Sequence, residues 1–432
     1  MILLPGLRNS SSVEVALAEI FIFARSKQAR AFQMQTCSTT TGGYARSGQE
    51  CAALNETEAN QDLSLVNDYL EHWNTPPYRR YGFHHLHQIV RYACSFRSSR
   101  VLTLKSASEP AIAKLTSVRD LTSHPAFSAF VVLRGNELLH EQYAADFAAD
   151  QPHSIMSITK TFTHLMMGVC VDRGLIDVEK TVADYLPEIG SGSAGARIQD
   201  VLAMNILNEY SEDYADSSTM ALTHNAAMGW RLPSSGEADI GNRDFLCTIK
   251  SAGLANSSGL VNYKSANTDV LAWIVERVSK KSLQAMLLEI VEAAGLEHTF
   301  YMSTDRAGVP NTNGGGCMTA RDLARYGLIF ARKGQGISKE TVGSHQLMEA
   351  TRQCTGPTFA PPDNYIHYGN QLKTNGQWIG HSGWGGQLLM VNPDNATVVV
   401  FFSVLENESA SDDSYSRAIV EMAQELVGLQ AL

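Results

Sequence analysis

Hairpin signals stand near both ends of this chain and helical periodicity fills the stretch between them. That order constrains the fold more than any other feature. Phe130-Val131-Val132-Leu133 and Glu137-Leu138-Leu139-His140-Glu141 are two strand-like runs joined through Gly135-Asn136, a turn dipeptide. Far downstream, Gln387 to Val391 and Thr397 to Phe402 flank Asn392-Pro393-Asp394-Asn395, a second turn sequence. Strands this far apart share one core only if the intervening chain is an insertion into their sheet, so an α+β architecture is expected.

Between the hairpins the spacing is helical. From Ser157, apolar residues recur at Phe162, Leu165, Met166, Val169 and Cys170, and Gly174 follows as a C-terminal cap. Asn267 to Ser279 puts Val270, Leu271, Ile274, Val275 and Val278 on one face, with Lys280 and Lys281 where the macrodipole favours cations. Thr319 with Asp322 resembles a capping box, opening a helix that ends near Gly334. A closing amphipathic helix carries Ile419, Val420, Ala423, Leu426 and Val427. Residues 1–60 lack periodicity and include the polar, small-residue run Cys37 to Gly43, so a poorly ordered extension is expected there. Residues 61–432 are expected to form one domain, its sheet drawn from about 120–155 and 365–432, with a largely helical insertion over about 160–330.

Charge limits the partners. With 34 basic against 44 acidic residues and a net charge of −10, the chain lacks the basic footprint that a phosphate backbone requires, so no nucleic acid is expected. The longest apolar run, Val398 to Leu405, is interrupted by Ser403 and falls well short of the about 20 residues that span a bilayer, so no membrane is expected either. Val13 to Ala24 contains Glu14 and Glu19 and makes a poor signal peptide. Seven cysteines without a C-x-x-C pair argue against a disulfide framework or a zinc knuckle and favour a reduced, cytoplasmic protein.

Ser157-Ile158-Thr159-Lys160 is an S-x-x-K run at a helix start. This spacing sets a hydroxyl and an amine on one helix face, so a lysine held neutral by burial can take the serine proton. The helix N-terminus adds backbone N–H groups for a developing oxyanion. The tetrapeptide alone also fits a serine that caps a helix and a solvated lysine. Two further segments follow in order: Tyr263-Lys264-Ser265 before a buried helix, and Gly380-His381-Ser382-Gly383-Trp384 before a strand. An ordered triple of serine helix, loop tyrosine and K/H-S/T-G strand resembles the active site of the serine β-lactamase and penicillin-recognising superfamily.

Longer blocks narrow the resemblance. Asn74 to Phe83, Glu212-Asp213-Tyr214, Ser265 to Arg277 and Thr319 to Arg325 are similar to 6-aminohexanoate-dimer hydrolases, relatives of class C β-lactamases and short-chain carboxylesterases. The similarity covers roughly residues 70–432. It implies a serine β-lactamase-like α+β fold of the class C and DD-peptidase type, with an antiparallel sheet flanked by helices and a mainly helical subdomain. It also implies Ser157 as acyl-forming nucleophile, Lys160 as its proton acceptor, and Tyr263 as proton shuttle to the leaving group. The backbone N–H groups of Ser157 and Trp384 would form the oxyanion hole, and Tyr214, Asn225, Trp230, Ser265, Asn313 and His381 would line the substrate site.

Departures from the pattern bear on substrate. Tyr263-Lys264-Ser265 has Ser265 where class C β-lactamases have an amide-contacting Asn, and His381 replaces the lysine of Lys-Thr-Gly, removing a fixed cation and disfavouring penicillins. Asn225 stands where efficient nylon-dimer hydrolases carry an acid for the substrate ammonium, which counts against efficient cleavage of the dimer itself. Two rival readings fit the residues less well. The G-x-S-x-G elbow of α/β-hydrolases fails because Trp384 holds the final glycine position. A non-catalytic binder on the same fold leaves the intact Ser157, Lys160 and Tyr263 set without a purpose. The expected partner is a small amide or ester, cleaved without metal or organic cofactor, with a second copy of the chain as the one protein partner allowed for.

Overall fold

The computed structural model describes residues 70–212 and 219–428, so the expected extension over residues 1–60 and the site residue Tyr214 lie outside the described residues. In chain order the strands are β1 (Ala93–Phe96), β2 (Lys105–Ser106), β3 (Phe127–Arg134), β4 (Glu137–Tyr143), β5 (His153–Ser154), β6 (Ile206–Asn208), β7 (Ser251–Ala255), β8 (Phe300–Ser303), β9 (Gly316–Met318), β10 (His367–Gly369), β11 (Leu372–Thr374), β12 (Ile379–Gly383), β13 (Gln387–Asn392) and β14 (Thr397–Ser403). The helices that matter below are α1 (Arg79–Ile89), α2 (Lys160–Asp172), α3 (Met220–Ala227), α4 (Ser265–Ser279), α5 (Ala320–Ala331) and α6 (Asp413–Gly428).

Both expected hairpins form and meet in one eight-stranded sheet of order β10-β11-β12-β13-β14-β3-β4-β2. Its joint is the antiparallel β14–β3 pairing, with Val400 opposite Val131 and Val398 opposite Leu133. The continuous run Val398 to Phe402 follows from burial on both faces. Val398, Val400 and Phe402 join the core that holds α5 residues Leu323, Ala324 and Tyr326, whereas Val399 and Phe401 join the core beneath α6, with Ile419, Met422 and Leu426. Helix α5 lies close on the sheet at Gly327, where an added Cβ would stand 2.7 Å from Val398 Cγ1 and 3.0 Å from Leu389 Cδ1.

The insertion is less purely helical than its periodicity suggests. A second sheet of order β1-β8-β9-β5 crosses it, pairing His153 with Met318 and Ser154 with Cys317. Strand β5 leads straight into a 3-10 turn, Met156–Thr159, so the helix expected from Ser157 begins as α2 only at Lys160. Met156 has φ +44, a left-handed value that costs a non-glycine residue energy and turns the chain sharply just before Ser157.

Helix α2 is buried on nearly all sides, which explains its even mix of apolar and small polar residues. Phe162 stacks on Phe300 with centroids 5.0 Å apart and on Tyr326 at 4.2 Å. Thr161 Oγ1 and the Tyr326 hydroxyl are 2.7 Å apart, and His164 Nδ1 donates to the Asn370 carbonyl at 2.6 Å. Thr161 and His164 Nδ1 thus find partners across the interface, while Thr163 Oγ1 and His164 Nε2 are buried without one among the described residues. Because Phe162 is the apolar contact one turn from Ser157, Phe162→Ala is expected to cost about 3–5 kcal/mol of stability. Equilibrium denaturation reads this directly as a lower midpoint at unchanged slope.

Candidate active site

Helix α2 enters the core beside α4, and this packing brings the starts of the two helices together. Lys160, on the first turn of α2, is fully buried. Its Nζ lies 2.9 Å from Ser157 Oγ, 2.8 Å from Ser265 Oγ and 2.6 Å from the Asn313 carbonyl oxygen. The carbonyl can only accept. When Lys160 is neutral its lone pair can therefore face either hydroxyl; both line the cleft, and Ser157 is half-buried where Ser265 is buried. Burial pulls the Lys160 ammonium down to about 8, against the opposing pull of Glu212 and Asp269 and with a smaller downward push from Lys373. At pH 7 the ammonium still predominates, but about a tenth of the amine is neutral, far more than for an exposed lysine, one hydrogen bond from a hydroxyl.

Tyr263 completes the expected trio in space. The Lys160 Nζ sits 4.9 Å from its ring centroid, and the ring meets Tyr368 and His381 at 5.8 and 6.1 Å. The strand bearing Gly383 passes very close to the serine turn: a Cβ on Gly383 would lie 2.7 Å from the Ile155 carbonyl oxygen. Only glycine permits that approach, which brings the end of β12 against the turn that carries Ser157. Trp384 is itself held by Phe83, at a ring separation of 6.0 Å, and by Arg79, whose guanidinium is 5.4 Å from the Trp384 ring centroid. Arg79 in turn donates to the carbonyls of Leu405 and Glu408, so the Asn74 to Phe83 block braces the wall of the cleft.

Ser157, Tyr263, Ser265, Asn313, Asn225, Trp230, His381 and Trp384 all line one cleft of about 470 Å³. Several of them also make contacts within the protein. Ser265 and the Asn313 carbonyl anchor Lys160, and the Asn313 amide is turned away to donate to Asp269. Trp230 donates through Nε1 to Ser303 Oγ at 2.8 Å and stands edge-on to Trp73, 5.8 Å between centroids. Asn225, on α3, is half-buried at the cleft wall.

One expectation is overturned. Replacing lysine by His381 was expected to leave this wall without a fixed cation, yet Lys373 of β11 reaches across to β12 and donates to Ser382 Oγ. His381 itself is buried, donates Nδ1–H to the Ser382 carbonyl at 2.7 Å and faces the Tyr368 hydroxyl at 3.2 Å through Nε2. Desolvation first, then the nearby Lys373 and Lys160, holds its pKa well below the ordinary histidine value, so the ring is neutral. The signal for Lys373 was present: Asn375-Gly376, a strong hairpin dipeptide, joins β11 to β12 and sets Lys373 opposite Gly380. Glu212, quoted in a motif but given no role, also lines the cleft and accepts from the Ser265 N–H.

Behind the Asn313 loop lies a buried polar network. Asp269 accepts from Asn242 Nδ2 at 2.9 Å, from Thr312 Oγ1 at 3.1 Å and from Asn313, and it stands 3.4 Å from His224 Nε2. His224 Nδ1 meets the Tyr210 hydroxyl at 2.8 Å. Removing the carboxylate strands three buried donors, so Asp269→Ala is expected to lower stability by about 3 kcal/mol, with Asp269→Asn less damaging. Chemical denaturation of the two variants beside the wild type checks both the size and the order.

Comparison with known proteins agrees with the architecture. A family model described as Beta-lactamase matches residues 122–424. The 6-aminohexanoate-dimer hydrolase of Paenarthrobacter ureafaciens is 33% identical over 351 residues, 77% of this chain and 87% of that protein. Among solved structures, a Bacillus anthracis protein provisionally named a 6-aminohexanoate-dimer hydrolase superposes with a TM-score of 0.70 at 22% identity, covering 83% of this chain and 97% of its own. A D-stereospecific amidohydrolase from Streptomyces sp. superposes at 0.51 with 16% identity, over 74% of this chain and 99% of that one. No helix among the described residues is long and apolar enough to cross a membrane.

Proposed function

The chain belongs to the beta-lactamase family of serine hydrolases, with a 6-aminohexanoate-dimer hydrolase among its relatives, and we propose that it cleaves small linear amides or short-chain esters through an acyl-serine intermediate. The observation that carries this reading is the Lys160 Nζ to Ser157 Oγ hydrogen bond of 2.9 Å, made by a lysine whose burial favours the neutral amine. Neutral Lys160 takes the Ser157 proton as Oγ bonds to the substrate carbonyl carbon. The resulting oxyanion is met by the backbone N–H groups of Ser157 and Trp384, which the tight passage at Gly383 favours. The tetrahedral intermediate collapses with expulsion of the amine or alkoxide, which takes a proton relayed from Lys160 through Tyr263. Water then attacks the acyl-serine, giving a proton back along the same route, and the carboxylate product leaves Ser157 and Lys160 as they began.

Substrate scope follows from the lining. Asn225 offers no charge to an ammonium group, so among linear amides the aminohexanoate dimer is expected to be a slow substrate, with short esters faster. The reading also takes the chain as a cytoplasmic enzyme acting on a small molecule, with residues 61–432 as its hydrolase domain.

The deciding experiment follows release of 6-aminohexanoate from the linear dimer and of alcohol from a short ester, with intact-mass detection of the acyl adduct. Ser157→Ala is expected to abolish both turnover and adduct, and an adduct mapping to another serine would falsify the assignment. Lys160→Ala and Tyr263→Phe are expected to slow acylation by about 10² to 10⁴-fold. The pH dependence has a definite sign. Because the base must be neutral and burial lowers the Lys160 pKa to about 8, kcat/KM should rise with pH and level off above that value. Glu212→Gln removes a carboxylate that favours the ammonium, so the rising limb should move toward lower pH; a limb that stays put or moves upward contradicts the role given to Lys160.

A further inference from the structure

We infer that Met204 is a positioning residue for Tyr263, gripping the backbone on both sides of that ring through its carbonyl and its thioether. The inference rests on the acyl-serine reading above for the role of Tyr263. Met204 follows the short helix Ile198–Leu202, donates its own N–H to the Val201 carbonyl at 3.2 Å, and is fully buried. Its carbonyl accepts from the Asn262 N–H at 2.9 Å, and its Sδ accepts from the Lys264 N–H at 3.4 Å. One residue, 60 positions from Lys264 in sequence, thus holds the residue before Tyr263 and the residue after it.

Two features set this contact apart from ordinary packing. Met204 has φ +52, a left-handed value that a non-glycine residue keeps only where its surroundings enforce it, and such residues gather at functional sites. Helix α4, whose N-cap residue is Lys264, has no capping side chain of its own, so the donors at its start are met by other stretches of chain. Glu212 accepts from the Ser265 N–H, and Met204 Sδ accepts from the Lys264 N–H and, at 3.6 Å, from Asn267 Nδ2. The Lys264 ammonium turns the other way, to the carbonyls of Asn208 and Tyr210, and leaves its backbone N–H to the sulfur. A thioether is a weak acceptor, and a leucine of similar volume is none, so the hydrogen bonding of Met204 can be separated from its bulk. The Tyr263 ring lies 4.9 Å from Lys160 Nζ, and a relay across such a gap is sensitive to placement: a displacement of about 1 Å can cost about 10²-fold in rate.

Because Tyr263 relays a proton to the leaving group, misplacing it penalises a poor leaving group and spares a good one. The test compares kcat/KM for the ethyl and nitrophenyl esters of one short acid, in the wild type, Met204→Leu, Tyr263→Phe and the double variant, each checked for an unchanged far-UV spectrum. Met204→Leu is expected to lower the ethyl-ester value about tenfold and the nitrophenyl-ester value by less than about threefold. In the Tyr263→Phe background the same change should alter the ethyl-ester value by less than about twofold, because the group it places is gone. Equal losses on the two esters, or a Met204→Leu loss that persists in full on top of Tyr263→Phe, overturns the positioning role. Should the leucine protein not fold, Met204→Gln, which keeps an acceptor at similar reach, decides: both esters within about threefold of wild type is expected, and a larger ethyl-ester loss that persists in the Tyr263→Phe background overturns the inference. Failure of the underlying reading shows separately, as ester turnover by the Ser157→Ala protein or an ethyl-ester rate untouched by Tyr263→Phe alone.

Discussion

A lysine amine held among three oxygens organises this molecule. Lys160 lies in the interior, where an unpaired ammonium would be prohibitively expensive, and its oxygens come from three stretches of chain: the 3-10 turn at Ser157, the start of α4 at Ser265 and the loop before β9 at Asn313. Each stretch must be delivered to within hydrogen-bonding distance by its own scaffold. Helix α2 is fixed by the Phe162 stack, α4 packs along it, and the Asn313 loop is held from behind by Asp269. The burial that makes the position costly also lowers the pKa, so one constraint yields a rigid junction and the neutral amine that the proposed mechanism uses as a base.

The second constraint is close approach. The sheet contributes its β12 end to the serine turn, and an ordinary side chain at position 383 would meet the Ile155 carbonyl. Glycine there, and the left-handed backbone at Met156, let two main-chain segments come close where the proposed mechanism calls for oxyanion donors. The wall beyond them is braced by stacked and cationic contacts from α1 rather than by more sheet. The Asn74 to Phe83 block therefore matters to the cleft although it lies outside the matched family model.

Local signals were legible, and tertiary ones were not. The hairpins at Gly135-Asn136 and Asn392 to Asn395 and the helices around Asn267, Thr319 and Ile419 follow from periodicity and turn chemistry, and the ordered Ser157, Tyr263 and His381 segments from their resemblance to the serine β-lactamase site. These signals depend on neighbours in sequence. The strands β5 and β9 are two and three residues long, too short for any period to register, so the sheet crossing the insertion was invisible. Asp269 sits inside an apolar helix face, and nothing in its neighbours tells that four polar side chains from other segments converge on it.

Lys373 shows why a motif read along one strand misleads about a surface made by two. The expectation drawn from His381 was that replacing lysine at that position removes a cation from the cleft wall. On an antiparallel sheet, however, a long side chain reaches its diagonal neighbour on the next strand, about 7–8 Å away on the same face. Lys373 pairs with Gly380 and extends to Ser382, so the ammonium returns to the wall from β11 while β12 carries a neutral imidazole. The register of the Asn375-Gly376 hairpin, which no motif on β12 records, therefore decides that a lysine ammonium lines this cleft.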